Sequence, residues 1–280
     1  MKTAICFNGL VGSTYGKSHD LQGDFKKCFE ISSTLYKEHI IDKNDTDIFV
    51  HSWSTNLENE IINTYKPKKH LIENQIIFDI PDYVIGDTDR TQSHYSRWCS
   101  AKKVIDLKIE YEKENNFKYD CVMLARFDLA WQSDLIFDEY DHKYFWTGKW
   151  PKKILNGRML SDLEYWELSD TPYIRTSTGI TYPCNFDTVW WGYPHTDGGL
   201  LGTWFFSNSE NMNEFSRLFD NLNEYTKDSN CPNDGSGRVS NHRLSLYHLK
   251  QINLIDNLKF CEKNWHDDFG TVRRRYYKTR

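Results

Sequence analysis

The chain has 280 residues, a formal net charge of −5, and 39 % hydrophobic and 27 % charged residues. This length and composition allow a large buried core, which excludes disordered, fibrous and low-complexity classes of protein. The acidic balance argues against a general nucleic-acid-binding protein, which would carry a basic domain. Aromatic residues make up 15 %, and they suit both a core and a site that stacks the flat faces of bases or sugars.

Seven cysteines are spread along the chain, and no two of them form a Cys-x-x-Cys pair. A secreted disulfide framework or a structural zinc site would cluster them. The first apolar run is too short for a signal peptide, and no run approaches the roughly 20 apolar residues of a membrane span. We therefore expect a soluble, cytoplasmic protein with reduced thiols.

The first predicted strand covers residues 3–7 and ends at the loop 8–13, which contains two glycines. A strand that runs into a glycine-rich loop is typical of the start of an α/β domain. Glycines let backbone amides approach a nucleotide or its phosphates, so Asn8, Gly9, Gly12 and Ser13 are candidate cofactor-binding residues. The loop has neither the G-x-G-x-x-G nor the Walker A pattern, and a plain strand-ending turn is the alternative.

Helical spacing predicts a helix over 25–40, and β-type runs predict strands over 47–53 and 75–80. A long helix is predicted over 92–115. His51 lies near the end of the second strand, where its imidazole could donate a hydrogen bond to a ligand. The alternative is a histidine whose ring is satisfied within the fold.

Residues 121–125 are continuously apolar, as expected for a strand buried on both faces of a mostly parallel sheet. The alternation of strands and helices up to this point predicts a doubly wound α/β fold with helices flanking a central sheet. Residues 134–197 are rich in aromatic residues and irregular in pattern. They are followed by a predicted strand over 203–206 and predicted helices over 210–225 and 241–251.

Arg126-Phe127-Asp128 directly follows the buried strand. Ligands of open α/β sheets bind at the carboxyl ends of the strands. A carboxylate there could hold a divalent cation that bridges two phosphates, and Arg126 could neutralise phosphate charge through its forked donors. The alternative is a buried Arg–Asp ion pair that braces the end of the sheet.

Two further groups of residues could take part in chemistry. Trp265-His266-Asp267-Asp268 places metal-capable side chains next to an aromatic ring, although a charged segment near a terminus is usually only solvated. A group transfer without a covalent intermediate requires a carboxylate as general base. Asp187 and Asp197 are candidates because aromatic residues or glycines flank them, but spacing alone does not identify either.

The motifs together resemble a loosely defined group of GT-A-type glycosyltransferases that occur in capsule, lipopolysaccharide and large-virus glycan gene sets. The resemblance covers the first 130 residues in order: Phe-Asn-Gly-x-x-Gly-Ser, then Asp-Ile-Phe-Val-His-Ser-Trp, then Tyr-Asp-x-Val-Met-Leu-Ala-Arg-Phe-Asp-Leu. It continues weakly over residues 203–212. It implies a single GT-A-like domain in which residues 1–132 bind a nucleotide sugar and residues 133–280 bind the acceptor.

The resemblance implies a UDP- or GDP-sugar donor, a glycan acceptor and a Mn²⁺ or Mg²⁺ ion. Asp128 matches the last acid of the Asp-x-Asp motif of such enzymes, whereas Arg126 replaces the first acid. The resemblance also implies that His266 adds a metal ligand and that Phe7-Asn8-Gly9 holds the base and ribose. The cation would stabilise the leaving diphosphate as a Lewis acid. Two alternatives are a non-catalytic carbohydrate-binding protein and a carbohydrate sulfotransferase.

Overall fold

The computed structural model describes residues 1–12, 25–84, 88–152, 154–155, 158–159, 173–175, 181–183, 191–193, 199–227, 240–264 and 268–272. The strands are β1 Thr3–Gly9, β2 Thr46–Ser52, β3 Lys69–Ile72, β4 Cys121–Arg126, β5 Leu129–Trp131, β6 Phe145–Lys152, β7 Ile154–Leu155, β8 Arg158–Met159, β9 Tyr173–Arg175, β10 Thr181–Pro183, β11 Trp191–Tyr193, β12 Trp204–Ser207, β13 Leu258–Asn264 and β14 Phe269–Thr271. The α-helices are α1 Phe25–His39, α2 Glu58–Tyr65, α3 Thr88–Asn115, α4 Ser209–Ser216, α5 Leu218–Lys227 and α6 Asn241–Gln251.

Eight of these strands form one central sheet in the order β11-β6-β12-β4-β1-β2-β3, with β13 paired to β6. The neighbours β3, β2, β1 and β4 are parallel, and β13 is parallel to β6. Strand β12 runs antiparallel to both β4 and β6. The predicted α/β class with a mostly parallel central sheet is therefore confirmed.

The apolar run of β4 is buried on both faces because alternate side chains enter two different cores. Cys121, Met123 and Ala125 face the core that α1 and α2 cover. Val122 and Leu124 face the core that α3, α4, α5 and α6 cover. The resulting three layers, with helices on both faces of the sheet, explain why the central strands lack a polar side.

The chain changes direction in the sheet between β1 and β4. After β1 the next two strands add on one side, as β2 and then β3, whereas β4 returns to the other side of β1. This change of strand order makes the carboxyl ends of β1 and β4 the place where open α/β sheets bind ligands.

Two sequence predictions about secondary structure were wrong. The third strand lies at Lys69–Ile72, and residues 75–80 form no strand. In that segment Phe78 and Ile80 pack against the core of the α3 face, whereas the Ile77 side chain is 89 % exposed. The predicted helix over 210–225 is divided into α4 and α5. The other elements predicted above lie within one or two residues of the observed strands and helices, apart from α3, which begins at Thr88.

The second half of the chain contributes β6, β11, β12 and β13 to the same sheet as the first half. Residues 134–197, predicted to form an irregular acceptor-binding region, lie largely outside the described residues. Within the described part of the chain no helix combines the length and the apolar character needed to cross a bilayer. The described cysteines are free and buried, at positions 6, 28, 99, 121 and 261.

Candidate functional site at the carboxyl ends of β1 and β4

Polar side chains meet where β1 and β4 end. Asn8 lies opposite Arg126 in the parallel register of the two strands, and the Asn8 amide donates to the carbonyl of Ala125 at 2.9 Å. Gly9 follows with φ of +93°, a conformation that favours glycine. Among the described residues, no atom outside the neighbouring residues would lie within 4 Å of a Cβ atom at Gly9. The backbone of this turn therefore borders open space at the predicted ligand edge.

A series of hydrogen bonds between side chains fixes the Gly9 turn. The Gly9 N–H donates to Ser100 Oγ at 2.7 Å, and Ser100 Oγ lies 2.6 Å from His51 Nδ1. The other ring nitrogen of His51 is 3.1 Å from Glu73 Oε1, to which Lys103 also donates. Strand β2 and helix α3 thus hold the turn together.

The predicted contact of His51 with a ligand is wrong, because its side chain is fully buried and both ring nitrogens are bonded within the fold. Burial lowers the pKa of the imidazole, and the hydrogen bond to Glu73 opposes this effect. A neutral ring accepts from Ser100 and donates to Glu73. The Ser100–His51–Glu73 order resembles a hydrolase triad, but Ser100 Oγ is buried and already accepts from Gly9, so it cannot attack a substrate.

Replacing Ser100 with Ala is expected to lower the free energy of unfolding by about 1–3 kcal/mol, since the change leaves the buried His51 Nδ1 and the partly buried Gly9 N–H without this partner. Urea denaturation measures this loss. Ser216→Ala is the matched control, because its buried hydroxyl only donates to Asn213 in its own helix. Equal losses in the two variants would contradict the role of Ser100 in holding the turn.

The other residues predicted in this loop have different positions. The Phe7 side chain belongs to the core, where its ring stacks on Phe127 at 5.2 Å, so the prediction that it contacts a ligand is wrong. Gly12 packs closely, since a Cβ there would lie 2.8 Å from the Phe25 ring. Ser13 lies outside the described residues. Asn8 and Gly9 are therefore the loop residues that the fold brings to the ligand edge.

Arg126 and Asp128 form a bidentate ion pair at the end of β4. Arg126 Nε donates to Oδ1 at 2.9 Å and Nη2 to Oδ2 at 2.5 Å. The Asp128 side chain is 8 % exposed, and that of Arg126 is 32 % exposed. The three remaining N–H groups of the guanidinium have no partner in the described part of the chain. Asp128 thus binds one edge of the guanidinium, and the other edge stays available.

Arg97 of α3 approaches the same place from the helix side. Its Nη2 donates to the carbonyl of Gly202, and its guanidinium lies over the Trp98 ring at 4.9 Å. Burial, followed by the charge of Arg126, lowers the pKa of Arg97 to about 9. The group therefore remains cationic at neutral pH, close enough to Arg126 for the two charges to interact.

A cavity of about 10 Å³ lies between the two guanidinium groups, the size of one water molecule. Its polar lining comes from Asn8, Arg97, Arg126 and Thr203. The buried Thr203 Oγ1 has no hydrogen-bond partner in the described residues. A buried hydroxyl without a partner is costly, so the cavity offers an unused polar atom beside two positive charges.

The sequence analysis did not single out Arg97, although a signal was present. Positions 97, 101, 104 and 108 share one face of α3, and that face packs on the sheet. A charged residue within an apolar helical stripe needs a partner or a function. Arg97 and Lys108 both break the stripe, so both could have been identified from their helical spacing.

The residues described do not fit the divalent cation that the resemblance implies. Both carboxylate oxygens of Asp128 are bound to Arg126, and a guanidinium occupies the place of the first acid. The described ranges contain no group of three His, Cys, Asp or Glu side chains that could hold a metal. His266 lies outside these ranges. Asp268 accepts hydrogen bonds from Gln132 N and Ser133 Oγ, which follow β5, whereas Asp128 precedes β5.

Asp187 and Asp197, the candidate general bases, also lie outside the described residues, so their roles stay predictions. Comparison of the chain with protein-family models and with curated protein sequences finds no match. The site must therefore be interpreted from its own geometry.

Proposed function

We propose that this protein is a glycosyltransferase that takes its sugar from a nucleoside diphosphate sugar. The observation that carries the proposal is the change of strand order at β1 and β4, where the Gly9 turn lies beside the available edge of the Arg126 guanidinium. Crevices at such a change of strand order bind nucleotides in many α/β proteins.

The electrostatics of this site favour a phosphate ligand. Arg97 and Arg126 carry two positive charges against the one negative charge of Asp128, which leaves the cluster with a net positive charge. The planar donors of a guanidinium match phosphate oxygens in pairs. The chain as a whole is acidic, so this local positive charge selects anions at one place and does not make the protein a general binder of polyanions.

Transfer of a sugar is supported by the order of the motifs that resemble GT-A-type enzymes. The described residues of these motifs, 7–12, 47–53 and 119–129, fall on or directly beside β1, β2 and β4. These are adjacent parallel strands, so their carboxyl ends lie at the same edge of the sheet. We propose a glycan as acceptor, with Asp187 or Asp197 as general base.

A protein that only binds a neutral glycan would not need two guanidinium groups beside a glycine turn, because these donors match anionic groups. A carbohydrate sulfotransferase also binds an anionic nucleotide, so it needs an experimental test. Adenosine 3′,5′-bisphosphate distinguishes it, because a sulfotransferase should prefer this nucleotide to UDP or GDP.

Thermal unfolding in the presence of UDP, GDP, their sugar conjugates and adenosine 3′,5′-bisphosphate tests the proposal. A ligand at 100 times its Kd adds about 2.7 kcal/mol, so the matching nucleoside diphosphate is expected to raise Tm by roughly 5–10 °C. Each nucleotide is measured with EDTA and with Mn²⁺. Release of the same diphosphate from its sugar conjugate, stimulated by an acceptor glycan, then reports turnover. No shift with any nucleotide in either condition would contradict the proposal.

A further inference from the structure

We infer that the Arg126–Arg97 pair, and not a divalent cation, neutralises the diphosphate of the donor in this protein. The inference rests on the proposed function and specifies how its site binds the nucleotide. It starts from the disagreement between the implied metal and the residues at the end of β4.

Asp128 is already occupied by a cation. Its two oxygens bind Nε and Nη2 of Arg126 in a side-on, bidentate geometry. A metal ion bound at the same carboxylate would have to share its oxygens with the guanidinium or displace it, and in either case would lie beside two positive charges, those of Arg126 and Arg97. Coulomb repulsion in a partly buried site opposes such an arrangement.

Backbone hydrogen bonds hold both Asp128 and Arg126 in place, so that Asp128 can orient the Arg126 guanidinium. The Asp128 carbonyl accepts from Val272 N at 2.9 Å, at the end of the β5–β14 ladder. The Arg126 backbone is held on both sides, because its N–H donates to Thr203 O at 3.2 Å and its carbonyl accepts from Tyr36 OH at 2.7 Å. The guanidinium is therefore oriented before any ligand arrives, and a preoriented donor loses little entropy on binding.

The free edge of Arg126 offers three N–H donors at the partly exposed end of the side chain. A phosphate placed there receives two parallel hydrogen bonds. Arg97, which is partly buried, lies across the small cavity from Arg126 and adds positive potential. The cavity is too small for a phosphate, so the diphosphate lies over Arg126, and a water in the cavity would satisfy Thr203 Oγ1.

This arrangement supplies the charge stabilisation that the transfer needs. The bond between the anomeric carbon and the β-phosphate oxygen breaks, and its electron pair stays on that oxygen. The acceptor hydroxyl oxygen forms the new bond to the anomeric carbon, and its proton passes to the carboxylate proposed as general base. The negative charge that develops on the diphosphate is stabilised by the fixed guanidinium.

Isothermal titration calorimetry tests the inference with UDP, GDP and inorganic pyrophosphate, each in EDTA and in Mn²⁺. We expect the Kd of the bound diphosphate to differ by less than about threefold between EDTA and Mn²⁺, since no metal bridges it to the protein. The Arg126→Gln variant is expected to bind at least about 30-fold more weakly, and Arg126→Lys to recover part of the affinity. Arg217→Ala, which removes an exposed arginine of the α4–α5 junction, is the control and should leave Kd unchanged.

Asp128→Asn separates the two roles of this residue. Because Asp128 supports Arg126, the substitution should raise the Kd of the diphosphate by the same factor in EDTA and in Mn²⁺. The double variant Arg126→Gln/Asp128→Asn leaves no unpaired buried carboxylate, so it tests the arginine even where Arg126→Gln alone unfolds. The inference would be overturned if the wild-type protein bound the diphosphate much more weakly in EDTA than in Mn²⁺ and Asp128→Asn removed this effect of Mn²⁺. It would also be overturned if no diphosphate bound in EDTA.

The same titrations separate this inference from the proposed function. Binding of pyrophosphate that depends on Arg126, with no affinity for any nucleoside diphosphate, would retain the anion site and overturn the glycosyltransferase proposal. Binding of a nucleoside diphosphate only with Mn²⁺ would retain the proposed function and overturn the guanidinium inference.

Discussion

Replacing Lys108 with Met is expected to lower the free energy of unfolding by about 3–5 kcal/mol. The Lys108 side chain is fully buried, and its Nζ lies 3.0 Å from Glu112 Oε2, 2.6 Å from Ser209 Oγ and 2.6 Å from Asn213 Oδ1. Burial lowers the pKa of Lys108, and the charge of Glu112 opposes this effect. The substitution leaves the buried Glu112 carboxylate without its hydrogen-bonded counter-charge, while the exposed Lys118 Nζ stays 4.0 Å from Oε2.

The network also joins separate parts of the fold. Glu112 Oε1 accepts from Ser209 Oγ at 2.7 Å and from Tyr119 N at 2.9 Å. The ion pair therefore ties α3 to the start of α4 and to the residues that precede β4. Because every polar atom of the pair has a partner, its disruption costs more than the loss of one hydrogen bond.

Urea denaturation checks this prediction against a matched control on the same helix. Lys102 and Asp106 form an i,i+4 ion pair of the same type, but their side chains are 28 % and 45 % exposed. Lys102→Met should therefore change the free energy of unfolding by only about 0.5 kcal/mol. The double variant Lys108→Met/Glu112→Gln should recover part of the loss, since it removes the uncompensated charge. Equal stability of Lys108→Met and Lys102→Met would contradict the prediction.

Acidification from pH 6.5 towards pH 4 is expected to remove roughly 3 kcal/mol of stability through His248 alone. The side chain is fully buried between α4, α5 and α6. Its Nε2 donates to Glu214 O at 3.1 Å, and its Nδ1 accepts from Tyr225 OH at 2.7 Å. Burial lowers the pKa of the imidazole to about 4.

The sign follows from the two pKa values. Above pH 6.5 the imidazole is neutral in both states and gives no pH dependence. Between pH 6.5 and 4 the unfolded chain binds a proton that the folded chain does not, so the unfolded state is favoured as pH falls. His248→Gln should flatten the pH dependence of the free energy of unfolding in this range. Parallel profiles for the wild-type protein and His248→Gln would contradict the prediction.

The sequence was sufficient to predict the central strands because their signal is local. The continuous apolar run of β4 and the glycine turn after β1 each determine their own conformation, and adjacent parallel strands then bring Asn8 and Arg126 together. The position of β3 was not predictable in the same way. Residues 75–80 have as apolar a composition as a strand, and only the tertiary packing of Phe78 on Tyr95 and Phe219 shows that they cover a helix face.

The sequence was sufficient to predict where the site lies, but not which side chains form hydrogen bonds with each other there. The pairing of His51 with Ser100 and Glu73 joins three segments, and no local pattern specifies that a histidine will have both ring nitrogens satisfied. The burial of Asp128 depends on β14, which lies about 140 residues away in the sequence. Which of the two roles considered for Arg126-Phe127-Asp128 applies is therefore determined by long-range packing, and the observed contacts are those of the ion pair.

Because β12 runs antiparallel to β4, backbone carbonyls of the turn before β12 lie at the ligand edge, where a fully parallel sheet would place the end of a strand. The start of this strand, and not its end, adjoins the ends of β1 and β4, so the turn before it presents the carbonyls of Gly202 and Thr203 to Arg97 and to the Arg126 backbone. Gly202 has little room, since a Cβ would lie 2.9 Å from Arg97 Nη2. Changes in this turn would therefore alter the orientation of Arg97 and of the Arg126 backbone. Under the proposed function, they would change the affinity for the diphosphate without a substitution in the residue that contacts it.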